Sequence, residues 1–410
     1  MNEGKNNPRV PGVVLRQSEA DRVVAGHPWV FERGIQRVEG ELADGAVVAV
    51  KDGRQRFLGV GFFNGRSRIR LRMISHRNVA VDRAFFEERF REALALRTRW
   101  LPDARSFRLV NAESDFLSGL IVDKYEDVLV IQISSLGMEQ RKDDILAALE
   151  AVLEPRAIVE RNDIPSRRFE GLTETCGVVR GELAGEQVAF ELNGLTFEAD
   201  PLTGQKTGFY LDQQVNHRLV AEMVAHYPQG SVLDCFSSTG GFALHAARAG
   251  AGSVHCLDQS AEVLATAGRL AERNGLGDRL RYETVNVFDW LKARSAAPEG
   301  ETAPELFDVV ILDPPSFTRT RSALPDALRG YKEIHLRALR LLKPGGLLAT
   351  FCCSHHVDAR TFQDVILSAA FDVRRVLRRV ATFTQSPDHP ILPSVPETEY
   401  LKGFAFEVVR

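Results

Sequence analysis

Beyond Asp200 the chain alternates apolar, β-rich runs with helical stretches, and this alternation constrains its fold more than any other feature. The runs are Ser231–Cys235, Ser253–Leu257, Leu280–Thr284, Val309–Leu312 and Gly346–Phe351. Between them lie helical patterns over Phe242–Ala249, Ala261–Asn274 and Tyr331–Leu342. Strands separated by helices predict a doubly wound, parallel sheet. Ser295–Pro304, rich in Ala, Pro, Gly and Glu, predicts a flexible surface loop.

The first 200 residues do not share this rhythm. Val47–Lys51, Phe57–Phe63 and Ile69–Ile74 are β-rich, with Asp52-Gly53 and Asn64-Gly65 as turn signals, and predict a small β-barrel. Within Arg68-Ile69-Arg70-Leu71-Arg72-Met73, strand alternation puts three arginines on one face and three apolar residues on the other. That basic face could hold phosphate or could be plain solvated surface. Val81–Trp100 predicts a helix capped by Asp82. Leu120–Val122 and Val128–Ile133 read as strands, Gln140–Leu153 as a helix, and Ile158–Glu160 and Gln187–Leu192 as strands. A chain of 410 residues exceeds one ordinary core, so two or three domains are expected.

Charge and cysteine usage narrow the setting. The net charge is -3, but residues 1–77 hold 14 Lys and Arg against 8 Asp and Glu. A basic N-terminal module on an acidic body suits RNA docking. No apolar run approaches the roughly 18–20 residues needed to span a bilayer. Met1–Pro11 is polar, without a signal-peptide core, so a cytoplasmic location is expected. Cys176, Cys235, Cys256, Cys352 and Cys353 have no metal-site or disulfide spacing and should be free thiols.

Four motifs fall at the ends of the predicted parallel strands, where open α/β sheets bind ligands. Val232-Leu233-Asp234-Cys235-Phe236-Ser237-Ser238-Thr239-Gly240-Gly241-Phe242 joins a strand to a helix through small residues. Its glycines permit close backbone approach, or simply a tight turn. Asp234 would repel phosphate but suits the sulfonium and amino groups of S-adenosylmethionine. Asp258 follows 24 residues later, near the offset at which an acid meets ribose hydroxyls, and could equally cap a helix. Asn286-Val287-Phe288-Asp289 could present an amide to adenine, with Asp289 as a helix cap. Leu312-Asp313-Pro314-Pro315-Ser316-Phe317 sets an acid before two prolines, which fix an extended loop. Asp313 could accept from a base amine, and Phe317 could stack on the base, worth about 1–3 kcal/mol.

Ala349-Thr350-Phe351-Cys352-Cys353-Ser354 ends the next strand, and alternation lets only one of the two thiols face the cleft. By themselves these thiols read better as buried structural residues. In the functional reading, a thiolate attacks C6 of cytosine and makes C5 able to take a methyl group.

These motifs, in this order, resemble class I S-adenosylmethionine-dependent methyltransferases. More narrowly, the chain is similar to the ribosomal RNA large subunit methyltransferase I family, which makes 5-methylcytosine in 23S rRNA. The match includes Gly204-Gln205-Lys206-Thr207-Gly208-Phe209-Tyr210-Leu211-Asp212-Gln213, Arg329-Gly330-Tyr331-Lys332, Asp388-His389-Pro390 and Tyr400-Leu401-Lys402-Gly403-Phe404. Gly26-His27-Pro28-Trp29-Val30-Phe31 resembles the opening of that family's PUA domain.

The resemblance implies an α/β chain in three domains: a PUA-like RNA-binding β-barrel at 1–77, a central α+β domain at 78–198, and a Rossmann-like methyltransferase domain at 199–410. It implies S-adenosyl-L-methionine as cofactor, contacted by Phe209, Asp212, Gln213, Asp234, Gly240, Asp258, Asn286 and Asp313. Cys353 is the implied nucleophile and Asp313 its catalytic partner, leaving Cys352 without a role. Pro314, Pro315, Phe317, Arg68, Arg70 and Arg72 are expected on the substrate. The implied partner is 23S rRNA or a large-subunit assembly intermediate, without membrane, and a homodimer is left open. Asn286 stands where an acid is common, and His355-His356 is unusual beside the thiol. Two rival readings stay open: methylation of a base nitrogen, which needs no thiol, and a non-catalytic RNA-binding assembly factor.

Overall fold

A computed structural model describes residues 11–296, 305–318 and 320–409. The polar start Met1–Pro11 lies almost wholly outside these residues, as does most of the loop expected at Ser295–Pro304. The chain divides into two compact units. One gathers residues 1–191, 198–211 and 387–398, and the other gathers 192–197, 212–386 and 399–410.

The first unit holds two sheets. The N-terminal one contains β1 (Gly12–Leu15), β2 (Trp29–Phe31), β3 (Ile35–Glu39), β4 (Val47–Lys51), β5 (Phe57–Phe63) and β6 (Ile69–Ser75), ordered β2-β6-β5-β4-β1-β3. All its pairings are antiparallel except β1 with β4. Its inward residues, among them Val13, Leu15, Val30, Val48, Val50 and Leu71, form one apolar core. The second sheet contains β7 (Phe107–Asn111), β8 (Leu120–Tyr125), β9 (Val128–Ile133), β10 (Ala157–Arg161) and β11 (Cys176–Gly181), ordered β11-β10-β9-β8-β7. Helix Arg83–Trp100 begins at Asp82, whose side chain accepts from Phe85 N at 3.1 Å, and buries Phe85, Phe86 and Phe90. The helix expected over Gln140–Leu153 spans Lys142–Leu153, and a single helical turn, Leu136–Glu139, precedes it.

A buried ion pair ties distant parts of this unit together. Arg97 is 1% exposed, and its guanidinium forks onto both carboxylate oxygens of Asp115, the second at 2.8 Å. It also donates to the carbonyls of Arg108 and Asp388. The Asp388 carboxylate accepts from Arg108 N at 2.8 Å.

A two-stranded hairpin, β12 (Val188–Leu192) and β13 (Leu195–Ala199), precedes the third sheet. That sheet contains β14 (Ser231–Cys235), β15 (Ser253–Asp258), β16 (Leu280–Thr284), β17 (Phe307–Leu312), β18 (Leu342–Cys352), β19 (Leu377–Thr384) and β20 (Lys402–Val408). Its order is β16-β15-β14-β17-β18-β20-β19. The pairings from β16 to β18 are parallel, whereas β20 runs antiparallel to both of its neighbours. The expected parallel sheet therefore gains an antiparallel strand, because β20 follows β19 without a crossover helix and inserts between β18 and β19. Helix Leu324–Leu341 starts seven residues before the expected Tyr331, with a proline in its first turn. Proline is tolerated there because the first-turn N–H groups have no helical partner. The core of this sheet includes Leu233, Leu257, Leu312, Ile334, Phe362 and Cys352.

Candidate active site

The parallel strands all end at one edge, and the candidate residues of the second unit lie on the loops that leave it. The loop after β14 turns through three left-handed residues: Phe236 at φ 63°, Ser238 at φ 49° and Gly240 at φ 85°. The first two are non-glycine, so this backbone is strained. A Cβ at Gly240 would meet the Ala267 Cβ at 3.3 Å, so a glycine keeps this approach open.

Asp234 points into this loop, 1% exposed. It accepts from the Ser237 hydroxyl at 2.7 Å and from the Ala243 backbone N–H. Burial pushes its carboxyl up to about 7, because the charged form has lost its water. Asp258, at the end of β15, is only half-buried. One of its oxygens accepts from Ser238 N and the other from Ser260 N, each at 3.0 Å. Ser260, not Asp258, caps the following helix. Asn286 likewise caps its helix, accepting from Phe288 N and Asp289 N. Its amide N–H groups are the part left to face a ligand, and the cap expected at Asp289 is not found there.

Asp313 is fixed from a third side. Gln213 Nε2 donates to its carboxylate at 3.0 Å, and Asn216 Nδ2 donates to Gln213 Oε1 at 2.6 Å and to the Thr384 carbonyl at 2.9 Å. The side chains of 213 and 216 thus anchor the acid to the end of β19. Asp212 is buried, and its carboxylate accepts from the Tyr400 hydroxyl at 2.8 Å. Phe209 belongs to the other compact unit, where its ring packs edge-on against Phe190 at 5.1 Å and its N–H donates to the Tyr125 hydroxyl.

The two thiols after β18 part as strand alternation requires. Cys352 is fully buried in the sheet's core, 3.3 Å from the Tyr331 hydroxyl. Cys353 is half-exposed, and its Sγ lies 4.0 Å from the carbonyl oxygen of Pro314. The sulfur therefore faces the Asp-Pro-Pro loop. Pro314 is buried in that loop and Pro315 exposed. The loop is also tied to the thiol's strand: Ser316 Oγ lies 2.8 Å from Ser354 Oγ, which lies 3.1 Å from the Tyr331 hydroxyl. Phe317 is half-buried between Phe288, at 5.5 Å, and Tyr331, at 4.5 Å, so much of its ring is already packed.

Tyr331, Ser316, Ser354, Asn216 and Lys402 were not singled out for chemistry in the sequence. All of them but Asn216 do lie inside quoted segments. Lys402 is the first residue of β20, and its Nζ donates to the Ser354 carbonyl at 2.6 Å.

The three-arginine face on β6 needs correction. Alternation holds, since Leu71 and Met73 enter the barrel core. The other side of the strand, however, is largely covered. Arg72 is buried, with its guanidinium 3.0 Å from Glu170 and 3.2 Å from the Ser118 hydroxyl, so it is a structural ion pair and not a phosphate ligand. Arg70 is half-buried and pairs with Glu32 at 3.3 Å. Arg68 alone of the three is exposed, its guanidinium over the Phe169 ring.

Comparison with known proteins completes the description. A PUA-like domain model matches residues 13–76. An S-adenosylmethionine-dependent methyltransferase model matches residues 156–390. The chain is 40% identical over 389 residues to a ribosomal RNA large subunit methyltransferase I of Shewanella denitrificans, covering 93% of this chain and 95% of that one. A protein of the same name from Vibrio vulnificus is 38% identical over 402 residues, covering 97% and 99%. Among solved structures, a Streptococcus mutans protein assigned to the SAM-dependent methyltransferases shares the fold at a TM-score of 0.79 and 20% identity, covering 97% of this chain and all of that one. Among the described residues no helix is long and apolar enough to cross a membrane.

Proposed function

The chain belongs to the S-adenosylmethionine-dependent methyltransferases, and on that footing we propose that it methylates C5 of a cytosine in the 23S rRNA of the large ribosomal subunit, using Cys353 as a nucleophile. The substrate class follows the name shared by relatives aligned over nearly the whole chain. The observation that carries the chemistry is the position of the Cys353 sulfur, turned out of the core and 4.0 Å from the Pro314 carbonyl.

The residues present suit the cofactor. Asp234 is a buried carboxyl that keeps its proton in part near neutrality, and a cationic group would restore its full charge. Asp258 ends its strand with both oxygens on backbone N–H groups and part of its surface open, which suits a ribose diol. Gly240 takes the left-handed φ of 85° with which the loop turns into its helix. Gln213, Asp212 and Asn286 complete the proposed set within this unit. When bound, S-adenosylmethionine supplies the electrophilic methyl group.

The rest is the work of the chain. The Cys353 thiolate adds to C6 of the flipped cytosine, forming a C6–S bond and moving the C5–C6 π electrons onto C5 and the ring carbonyl. Asp313 accepts from the exocyclic amine and from a protonated N3, and that proton neutralises the charge pushed into the ring as the C6–S bond forms. C5 takes the methyl group, a base removes the C5 proton, and the returning electron pair expels the sulfur as thiolate. The target must leave its stack to reach the loop, at a cost of a few kcal/mol. Pro314 and Pro315 stiffen the loop that receives it. Phe317 serves as one wall.

In this reading the chain is organised as a PUA-like module at 1–77, a central domain at 78–198 and a methyltransferase domain at 199–410. Arg68 docks RNA phosphate, and the enzyme works in the cytoplasm on 23S rRNA or an assembly intermediate. The test is methyl transfer from labelled S-adenosylmethionine to 23S rRNA by Cys353→Ala and Cys352→Ala. Loss in the first alone is expected, along with loss of a trapped adduct on RNA carrying 5-fluorocytidine. Full activity in Cys353→Ala would instead assign methylation of a base nitrogen. RNA binding without transfer by the unaltered chain would assign an assembly factor.

A further inference from the structure

We propose that Lys402 is a positioning residue for Cys353: its ammonium, pinned to the carbonyl of the next residue, fixes the peptide that bears the sulfur and favours the sulfur's thiolate form. The proposal rests on Cys353 as the nucleophile.

Register puts Lys402 there. It opens β20 opposite Cys352 on β18 and opposite Thr384 on β19, so its stem is held between two strands at the edge where the loops emerge. From that position Nζ reaches the Ser354 carbonyl at 2.6 Å. The Ser354 hydroxyl, fully buried, meets Ser316 at 2.8 Å and Tyr331 at 3.1 Å. Residue 354 is thus gripped at its carbonyl by a cation and at its side chain by two hydroxyls. Cys353 lies between it and the buried Cys352, with little freedom to turn.

A neutral donor would satisfy one carbonyl as well as a lysine does. Burying an ammonium costs desolvation, and burial is the largest influence lowering the Lys402 pKa. The groups that act against that lowering are Cys352, Cys353, Glu399 and Asp358. Of these, Cys352 is sealed in the core, and Asp358 is occupied as the cap of helix Ala359–Asp372. On the thiol's side stand Tyr331, whose own pKa burial pushes far up, and Asp313, which precedes the Pro314 whose carbonyl the sulfur meets. Tyr331 therefore stays neutral, and Asp313 disfavours a second anion. Lys402 places a cation at the same strand end that offsets it, and His355 and His356 follow the thiol in the chain. A half-desolvated cation near a thiol favours the thiolate, and with it attack on C6.

The experiment follows alkylation of Cys353 by iodoacetamide in the full-length protein, resolved by mass spectrometry across pH, with exposed Cys176 as internal reference. It compares the unaltered chain with Lys402→Met, Lys402→Gln and Lys402→Arg, alongside methyl transfer to 23S rRNA. In Lys402→Met the midpoint for Cys353 should rise by about one pH unit, making alkylation near pH 7 about tenfold slower. kcat should fall with little change in the KM for S-adenosylmethionine, and recover in part at high pH. Lys402→Arg should keep the midpoint. Lys402→Gln, which can still donate to the carbonyl, covers the case where Lys402→Met does not fold, and should behave as Met does. An unchanged midpoint in the folded uncharged variant overturns the proposal and assigns Lys402 a purely structural tie. Full methylation by Cys353→Ala overturns the nucleophile itself, a separate result that the alkylation midpoints do not influence.

Discussion

Asp234→Asn should make the free protein more resistant to unfolding at high pH while crippling cofactor binding. The carboxyl is 1% exposed, and burial raises its pKa to about 7. In the unfolded chain an aspartate titrates near 3.9. A carboxyl raised on folding binds its proton more tightly in the folded state. Its contribution is therefore intact below about pH 4 and is lost as pH climbs through about 7. A gap of about three units at about 1.4 kcal/mol each puts that loss on the order of 4 kcal/mol. Asparagine cannot ionise and escapes the loss. Its oxygen can still accept from Ser237 or Ala243, but its amide N–H groups meet a site built of donors, at about 1–3 kcal/mol. The variant should thus be weaker than the unaltered chain at pH 4, by roughly 1–3 kcal/mol, and stronger by a similar amount at pH 8. Urea unfolding followed through Trp290 in a Trp29→Phe, Trp100→Phe background reads this in the unit that holds the sheet. Calorimetry should show S-adenosylmethionine binding that strengthens from pH 5 to 7 with proton release, and at least about tenfold weaker binding in the variant. Stability curves that run parallel across pH in the two proteins would refute the reasoning, since Asp234 would then titrate as an ordinary acid.

Three arginines of the first unit give separate outcomes. Arg97→Met leaves Asp115 buried without its partner and should cost about 3–5 kcal/mol, with faster hydrogen exchange over residues 387–398. A loss under about 1 kcal/mol, the scale of an exposed pair, would show the fork to be incidental. Arg68→Ala should weaken RNA binding and flatten its salt dependence by about 0.7 in log–log slope. Arg72→Met should lower the melting temperature and leave that slope alone, and a slope change there would return Arg72 to the RNA.

The alternation of strands and helices beyond Asp200 was legible because a parallel sheet buries both faces and leaves nearly continuous apolar runs. The strand ends, and so the placement of Asp234, Asp258, Asp313 and Cys353, could be read from the same pattern. Strand alternation also foretold that the two adjacent thiols would part. What escaped was set by partners remote in sequence. Nothing near Arg72 announces Glu170, 98 residues on, so a buried ion pair read as a basic surface. The grip of Gln213 on Asp313 spans 100 residues, and that of Lys402 on Ser354 spans 48. That Asn286 also caps its helix escaped because a capping side chain and a ligand-facing one use the same amide. The antiparallel return of β20 was hidden because β-rich runs do not state their direction.

The fork of Arg97 has a consequence for how the chain is made. Its carbonyl partner, Asp388, comes 291 residues later, and the Asp388 carboxylate closes on Arg108 across 280. A ribosome delivers the N-terminal half long before it delivers residues 387–398, so the emerging half must wait with an arginine only partly satisfied. Closure of this unit is deferred until translation is almost complete, and contacts of such separation are slow to form. A nascent chain stalled or clipped before residue 387 would leave its first domains unlatched, open to capture by chaperones or proteases.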